Sequence, residues 1–263
     1  MYFKYINRIE LNTTELCNLK CSFCPRGHGY PNQNKHMSVA TARTIREQLD
    51  DVEYKRYVSI TGRGEPTLTK KFDEILDVML SGAEYKTYMY TNGYKLDQFE
   101  QYIPLFWKIY VDVYSTSVDE YNEITDKYQQ YDNVQVMHKP DTGEGYHEYN
   151  QKTSGRFSNR GGYMEGKAGG HNNPCAFVFN KLFINWNGDY NLCCDDWHEQ
   201  IVMSNISEQT IYQYVEENET LAKYRHSHLT GGRCNLDVCR GCTRDYFLAD
   251  NIYNKLKQHE RYN

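Results

Sequence analysis

The first half of the chain alternates short β-rich runs with helical stretches, and that alternation leaves few architectures open. Arg8 to Leu11, Tyr57 to Thr61, Lys86 to Tyr90, Lys108 to Tyr114 and Val134 to His138 read as strands. Ser38 is the expected N-cap of a helix to Asp51, with Val39, Ala42, Ile45 and Leu49 along one stripe. Phe72, Ile75, Leu76, Met79 and Leu80 form a second helical face, closed near Gly82. A short helix from Leu96 to Tyr102 should end at Pro104, and another should span Asp119 to Asp126. Strands separated by helices demand parallel crossovers, so the expected class is α/β, a layered sheet or partial (β/α) barrel of about five to six parallel strands. Loops that carry chemistry in such folds leave the carboxyl ends of the strands.

The loop after the first strand carries Cys17, Cys21 and Cys24, spaced C-x3-C-x2-C. Three thiolates this close can hold a metal centre, but a closed centre needs four ligands. A structural zinc knuckle normally offers C-x2-C pairs and a fourth ligand, and this triplet is one short. An iron–sulfur cubane on three thiolates keeps one iron open to an outside ligand.

On this cysteine loop the chain resembles the radical S-adenosylmethionine (radical SAM) superfamily. The resemblance implies a [4Fe–4S] cluster on Cys17, Cys21 and Cys24, its open iron chelated by S-adenosyl-L-methionine (SAM), and Phe23 beside the adenine. After the second strand, Thr61-Gly62-Arg63-Gly64-Glu65-Pro66 offers glycines for close backbone approach and a carboxylate for an ammonium group. By resemblance Gly62, Gly64 and Glu65 meet the methionine end of SAM, although Arg63 splits the usual glycine pair. Ser115, after strand four, is the expected ribose contact, or else belongs to the cap of the following helix. Asn92 faces the same pocket or serves as the turn residue of Asn92-Gly93.

The carboxyl third holds Cys175, Cys193, Cys194, Cys234, Cys239 and Cys242. Lys181 to Asn185 and Tyr190 to Cys194 read as a hairpin turning at Asn187-Gly188, followed by a helix from about Ile206 to Tyr224. The spacing C-x12-G-x4-C from Cys175 through Gly188 to Cys193 resembles the opening of the SPASM extension, in its truncated twitch form. That resemblance implies an auxiliary [4Fe–4S] cluster on Cys175, Cys193, Cys239 and Cys242, with Cys194 and Cys234 as alternates. A four-cysteine zinc site is the competing reading. The expected division is a radical SAM barrel over residues 1–165 and a small α+β cluster-binding domain over 166–263.

Net charge is −5 and no strongly basic face emerges, so no clear nucleic-acid site is expected. No apolar run of membrane-spanning length occurs. The opening residues lack a signal-peptide core, and nine cysteines without one suit reduced thiols in the cytoplasm. The 25 tyrosines are taken as filling strands and half-buried surfaces. By resemblance Arg160, at a strand-like end just before the second domain, is a substrate or proton-handling candidate, set against a structural salt bridge, and His138 and His147 could line the mouth. Arg225, His226, His228, Arg233, Arg240 and Arg244 surround the last cysteines, as a solvated surface or as donors to cluster sulfurs.

The layout resembles the aminocyclitol dehydrogenase type within the superfamily. It implies an oxidoreductase acting on a small polar molecule such as a sugar, cyclitol or nucleotide derivative, with an electron donor such as flavodoxin or ferredoxin. A radical SAM peptide maturase is one alternative, and a zinc-stabilised binding protein without redox activity is another.

Overall fold

The computed structural model describes residues 2–146, 148–149, 158–164, 172–198, 201–244 and 246–260. Five parallel strands come first: β1 (Arg8–Asn12), β2 (Tyr57–Thr61), β3 (Lys86–Thr91), β4 (Lys108–Val113) and β5 (Val134–His138). Three more follow, β6 (Lys181–Ile184), β7 (Asp189–Asn191) and β8 (Val202–Asn205). They form one sheet in the order β5-β4-β3-β2-β1-β6-β7-β8. β6 lies parallel to β1, making six parallel strands of a partial barrel, and β7 and β8 close the sheet antiparallel.

Alternation along each strand separates two faces. On β1, Ile9 and Leu11 turn outward and pack with Ala42, Ile45 and Leu49 of helix α1 (Val39–Asp51). Val58 joins the same core with Ile75 and Met79 of helix α2 (Phe72–Leu80). Each such side chain contributes about 1.5–3 kcal/mol by leaving water. The opposite residues of β1, Arg8, Glu10 and Asn12, line an internal cavity. The inner face also explains part of the tyrosine content. Tyr90 and Tyr110 are register partners on β3 and β4 and stack with centroids 4.7 Å apart, and Tyr88 meets Tyr90 edge-on.

Ser38 caps α1 by accepting from the Thr41 amide at 2.9 Å, and Ser117 likewise caps helix α3 (Val118–Tyr128) through Glu120. Three expectations are corrected. Pro104 does not end the helix that starts at Leu96; a tighter 3₁₀ path continues to Leu105, with a kink at Phe99. The single helix expected from Ile206 to Tyr224 is two, Ile211–Glu217 and Glu219–Leu229. Asn218 breaks it by adopting extended backbone and accepting from the Leu221 amide at 2.9 Å. Arg160 lies not on a strand but in a left-handed turn at φ 53°, opening a single 3₁₀ turn through Gly162.

Candidate functional site

The loop carrying the first three cysteines is fixed by hydrogen bonds along its whole length. Asn32 clamps Cys17 on both sides, accepting from its amide at 2.9 Å and donating to its carbonyl at 3.0 Å. Asp141, beyond β5, accepts from the Ser22 amide at 2.7 Å and from its hydroxyl at 2.5 Å. Arg26 is buried, pairs with Glu15 at 3.2 Å and donates from Nε to the Arg63 carbonyl at 2.6 Å. Gly27 lies directly against the Cys21 carbonyl, leaving no room for a Cβ. Held this way, Cys17, Cys21 and Cys24 all line the cavity. Burial pushes the Cys17 and Cys21 thiols up, and the neighbouring Cys24 adds to this. Cationic partners such as irons would reverse that and draw thiolates from such a site.

The loop after β2 presses against the same segment. Gly62 has φ 126° and no space for a side chain beside Asn12, whose Oδ1 accepts from the Arg63 amide at 3.0 Å. A Cβ on Gly64 would stand 2.6 Å from the Leu16 carbonyl oxygen. Glu65 is buried, its Oε1 accepting from the hydroxyls of Thr91 at 2.5 Å and Thr67 at 2.8 Å and from the Thr67 amide at 3.1 Å. Oε2 accepts from the Asn92 amide at 2.7 Å and keeps a further lone pair for a ligand. Burial raises the Glu65 pKa while these bonds oppose the rise. Arg63 reaches the far wall, where its Nη2 donates to the Asp196 carbonyl at 2.6 Å.

Asn92 answers both expectations. It lines the cavity, donates to Asn18 at 2.9 Å, and makes the local turn by accepting from the Tyr94 amide. Phe23 also lines the cavity and stacks on Tyr149 at 4.0 Å. Ser115 is not brought to the cavity wall; its hydroxyl accepts from the Ser117 amide and so supports the helix cap. His138 is likewise away from the wall, donating to the Ser115 carbonyl and stacking on Tyr121. His147 lies outside the described residues.

In the carboxyl third Cys175, Cys193, Cys239 and Cys242 are near enough to act on one another, with Cys194 beside them and Cys234 exposed. Cys193 is pushed well up by burial, with Cys194, Cys239 and Cys242 acting in the same direction. Burial carries Cys239 up to about 12, with Cys175 and Cys242 adding, and Cys242 up to about 11, with Asp195 and Cys175 adding. Cys194, like Cys193, lines the cavity, where Glu10 and Lys181 act on it. Cys234 is exposed beside Asn235. Among the described residues no three Cys, His, Asp or Glu side chains are close enough to share a single metal ion. A cubane asks for wider spacing than a zinc ion with bonds of about 2.3 Å, because each thiolate binds its own iron.

Asp195 follows these cysteines and is buried. Burial works against its charge, yet Arg244 at 2.8 and 2.9 Å, Arg160 at 3.5 Å and the Ser158 hydroxyl hold its carboxyl well below the usual range. Arg160 therefore reaches the cavity wall as half of an ion pair. The basic residues around the last cysteines divide between core and surface, with His226 on the surface. Arg225, Arg233 and His228 are buried, Arg225 and Arg233 donating to main-chain carbonyls, while Arg240 is exposed.

The cavity measures about 440 Å³ and is bordered by Cys17, Cys21 and Cys24 as well as by Cys193 and Cys194. Strand alternation could have revealed Glu10, which opens into it from β1 opposite Phe183 of β6. Burial pushes Glu10 up and Lys181 down, each towards its neutral form. Asp112 and Lys139 face the same space as a pair at 2.8 Å. Asn191 Nδ2 and Trp197 Nε1 are buried donors on its wall with no partner among the described residues, as a site shaped for a polar ligand leaves them.

Residues 11–142, half of the chain, match the model of the radical SAM superfamily. The chain belongs to that superfamily. Residues 175–243 match SPASM, an iron–sulfur cluster-binding domain, which displaces the zinc reading of the second cysteine set. This radical SAM protein is 25% identical over 260 residues to an S-adenosyl-L-methionine-dependent 2-deoxy-scyllo-inosamine dehydrogenase of Niallia circulans, covering 95% of this chain and 98% of that one. The crystal structure of BtrN in complex with AdoMet and 2-DOIA superposes with a TM-score of 0.77 at 22% identity, over 93% of this chain and 96% of that one. SuiB of Streptococcus suis bound to its precursor peptide SuiA gives 0.51 at 15% identity, over 94% and 75%. The radical SAM enzyme thus uses SAM and [4Fe–4S] clusters, including an auxiliary cluster in the SPASM region. Among its described residues no helix is long and apolar enough to cross a membrane.

Proposed function

We propose that this radical SAM enzyme oxidises a small polar molecule, of the sugar, cyclitol or nucleotide kind, held between its two cysteine sets. One observation carries the reading: a cavity of about 440 Å³, the size of a small-ligand site, is walled by the first cysteine set and by Cys193 and Cys194 of the second, and floored by Glu10 and Lys181. The similarity to a 2-deoxy-scyllo-inosamine dehydrogenase along nearly the full length supports it. In this reading residues 1–165 form the body of the barrel, to which β6 adds its sixth strand, and the rest of 166–263 forms the twitch-like domain. Cys17, Cys21 and Cys24 hold the first cluster, and Cys175, Cys193, Cys239 and Cys242 the auxiliary one. Gly62, Gly64, Glu65, Asn92 and Phe23 cradle SAM, with Ser115 outside that cradle.

When bound, SAM and the first cluster supply a radical that takes a hydrogen atom from carbon, and the auxiliary cluster supplies an acceptor for the second electron. The protein must take the remaining proton. Glu10 is placed for this, since burial raises its pKa and its carboxylate faces the cavity. Arg160, tied to Asp195, orients substrate oxygens, as do Asn191 and Trp197. The first cluster is reduced by an external one-electron donor of the flavodoxin or ferredoxin kind, working in the cytoplasm.

The test is iron and acid-labile sulfide per chain after anaerobic reconstitution, with and without Cys17, Cys21 and Cys24 changed to Ala. About eight irons falling to about four supports two cubanes. About four falling to none removes the auxiliary acceptor and with it the oxidation. Deuterium passing from labelled polyols into 5′-deoxyadenosine fixes the substrate class, while transfer only from labelled peptides would favour a maturase.

A further inference from the structure

We infer that His228 donates an N–H hydrogen bond to the Cys239 sulfur and thereby sets the reduction potential of the auxiliary cluster. His228 is 0 % exposed and sits in the last turn of the helix Glu219–Leu229. Its Nδ1 lies 3.1 Å from the backbone nitrogen of Cys175, and its Nε2 lies 3.6 Å from Cys239 Sγ. A peptide N–H can only donate, so Nδ1 must offer its lone pair. The ring hydrogen is then on Nε2, aimed at the sulfur. One imidazole therefore joins the residue that opens the second cysteine set to the first member of the closing C-x2-C pair.

The helix that carries His228 is framed by packing. Leu221, Tyr224 and Leu229 are buried in the main core, and the Phe179 ring meets the imidazole edge-on at 6.4 Å. The ring is wholly buried, and the Cys175 amide holds its Nδ1. Cys242 receives a comparable donor, the Arg244 amide at 3.4 Å. A donor at a ligand sulfur draws off negative charge, which favours the reduced cluster and raises its potential. A higher potential makes the cluster a better acceptor for the electron that an oxidation must shed.

The inference rests on Cys175 and Cys239 being ligands of the auxiliary cluster, and the experiment separates the two. Full-length protein is reconstituted anaerobically and titrated electrochemically with EPR detection. The auxiliary signal is the one that survives changing Cys17, Cys21 and Cys24 to Ala. His228→Leu removes the donor and should retain auxiliary iron while lowering the potential by 59 mV or more, a tenfold change in the one-electron ratio. His228→Gln keeps an N–H donor and should fall between. Unchanged potential in His228→Leu, with iron retained, overturns the inference. If His228→Leu loses its iron, wild-type protein labelled with ¹⁵N-histidine decides: a ¹⁵N coupling on the reduced auxiliary cluster upholds it, and its absence overturns it. Wild-type protein without an auxiliary signal would instead sink the ligand assignment.

Discussion

Arg63 donates a 2.6 Å hydrogen bond to the carbonyl of Asp196, joining the loop after β2 to the residues just beyond Cys193 and Cys194. The guanidinium also sits over the Trp197 ring at 5.7 Å. The residue that interrupts the glycine pair is thus a buried strut across the cavity. Arg63→Gly should lower stability by about 1.5–3 kcal/mol, the range for a charged donor on a buried acceptor. Urea unfolding of the anaerobic protein measures it, and a change below about 0.5 kcal/mol would refute the strut.

Glu10 should leave a signature in the pH profile. Burial raises its pKa above the ordinary 4.5, so it becomes a competent base only as pH climbs through that higher value. Turnover should therefore fall on the acid side in wild type. Glu10→Gln should lose both that limb and a factor of about 10²–10⁴ in kcat. SAM cleavage without substrate should continue. An acid limb that persists in Glu10→Gln assigns the proton to another group.

The two adjacent cysteines should behave differently. Cys193→Ala should cost about four irons per chain, while Cys194→Ser and Cys234→Ser should keep all of about eight. The reason is position: Cys194 faces Glu10 and Lys181, and Cys234 is exposed. Iron lost from Cys194→Ser with iron kept in Cys193→Ala would exchange the two roles.

Two glycines should be intolerant of a methyl group, with separate consequences. Gly27→Ala pushes on the Cys21 carbonyl and should lower iron in the first cluster. Gly64→Ala pushes on Leu16 and Thr14 and should weaken SAM binding by at least about tenfold, ~1.4 kcal/mol. Equilibrium dialysis of SAM and iron analysis check the pair, and native values in both would show that the loops yield freely.

Much of the fold was readable because each parallel strand carries its own local pattern. Tyr57–Thr61 and Val134–His138 were bounded as observed. The break at Asn218 was hidden because Leu221 and Tyr224 continue an apolar spacing that a single helix would also show. Ser115 was open to two readings, because a hydroxyl after a strand suits a helix cap as well as a ribose contact. Glu10 could be found in the Ile9-Glu10-Leu11 alternation, which turns a carboxylate away from the core. For His228 a bond to one of the last cysteines was open from the sequence, but its second neighbour, Cys175, lies 53 residues away and meets it only through tertiary packing.

β1 has its second neighbour in β6, which begins only at Lys181. The first cysteine loop is made well before that strand, so β1 keeps one naked edge until Lys181–Ile184 has followed. Closing that edge is a long-range event, slow relative to local helix formation. An interrupted ribosome would release a half-sheet with an open edge, which invites aggregation.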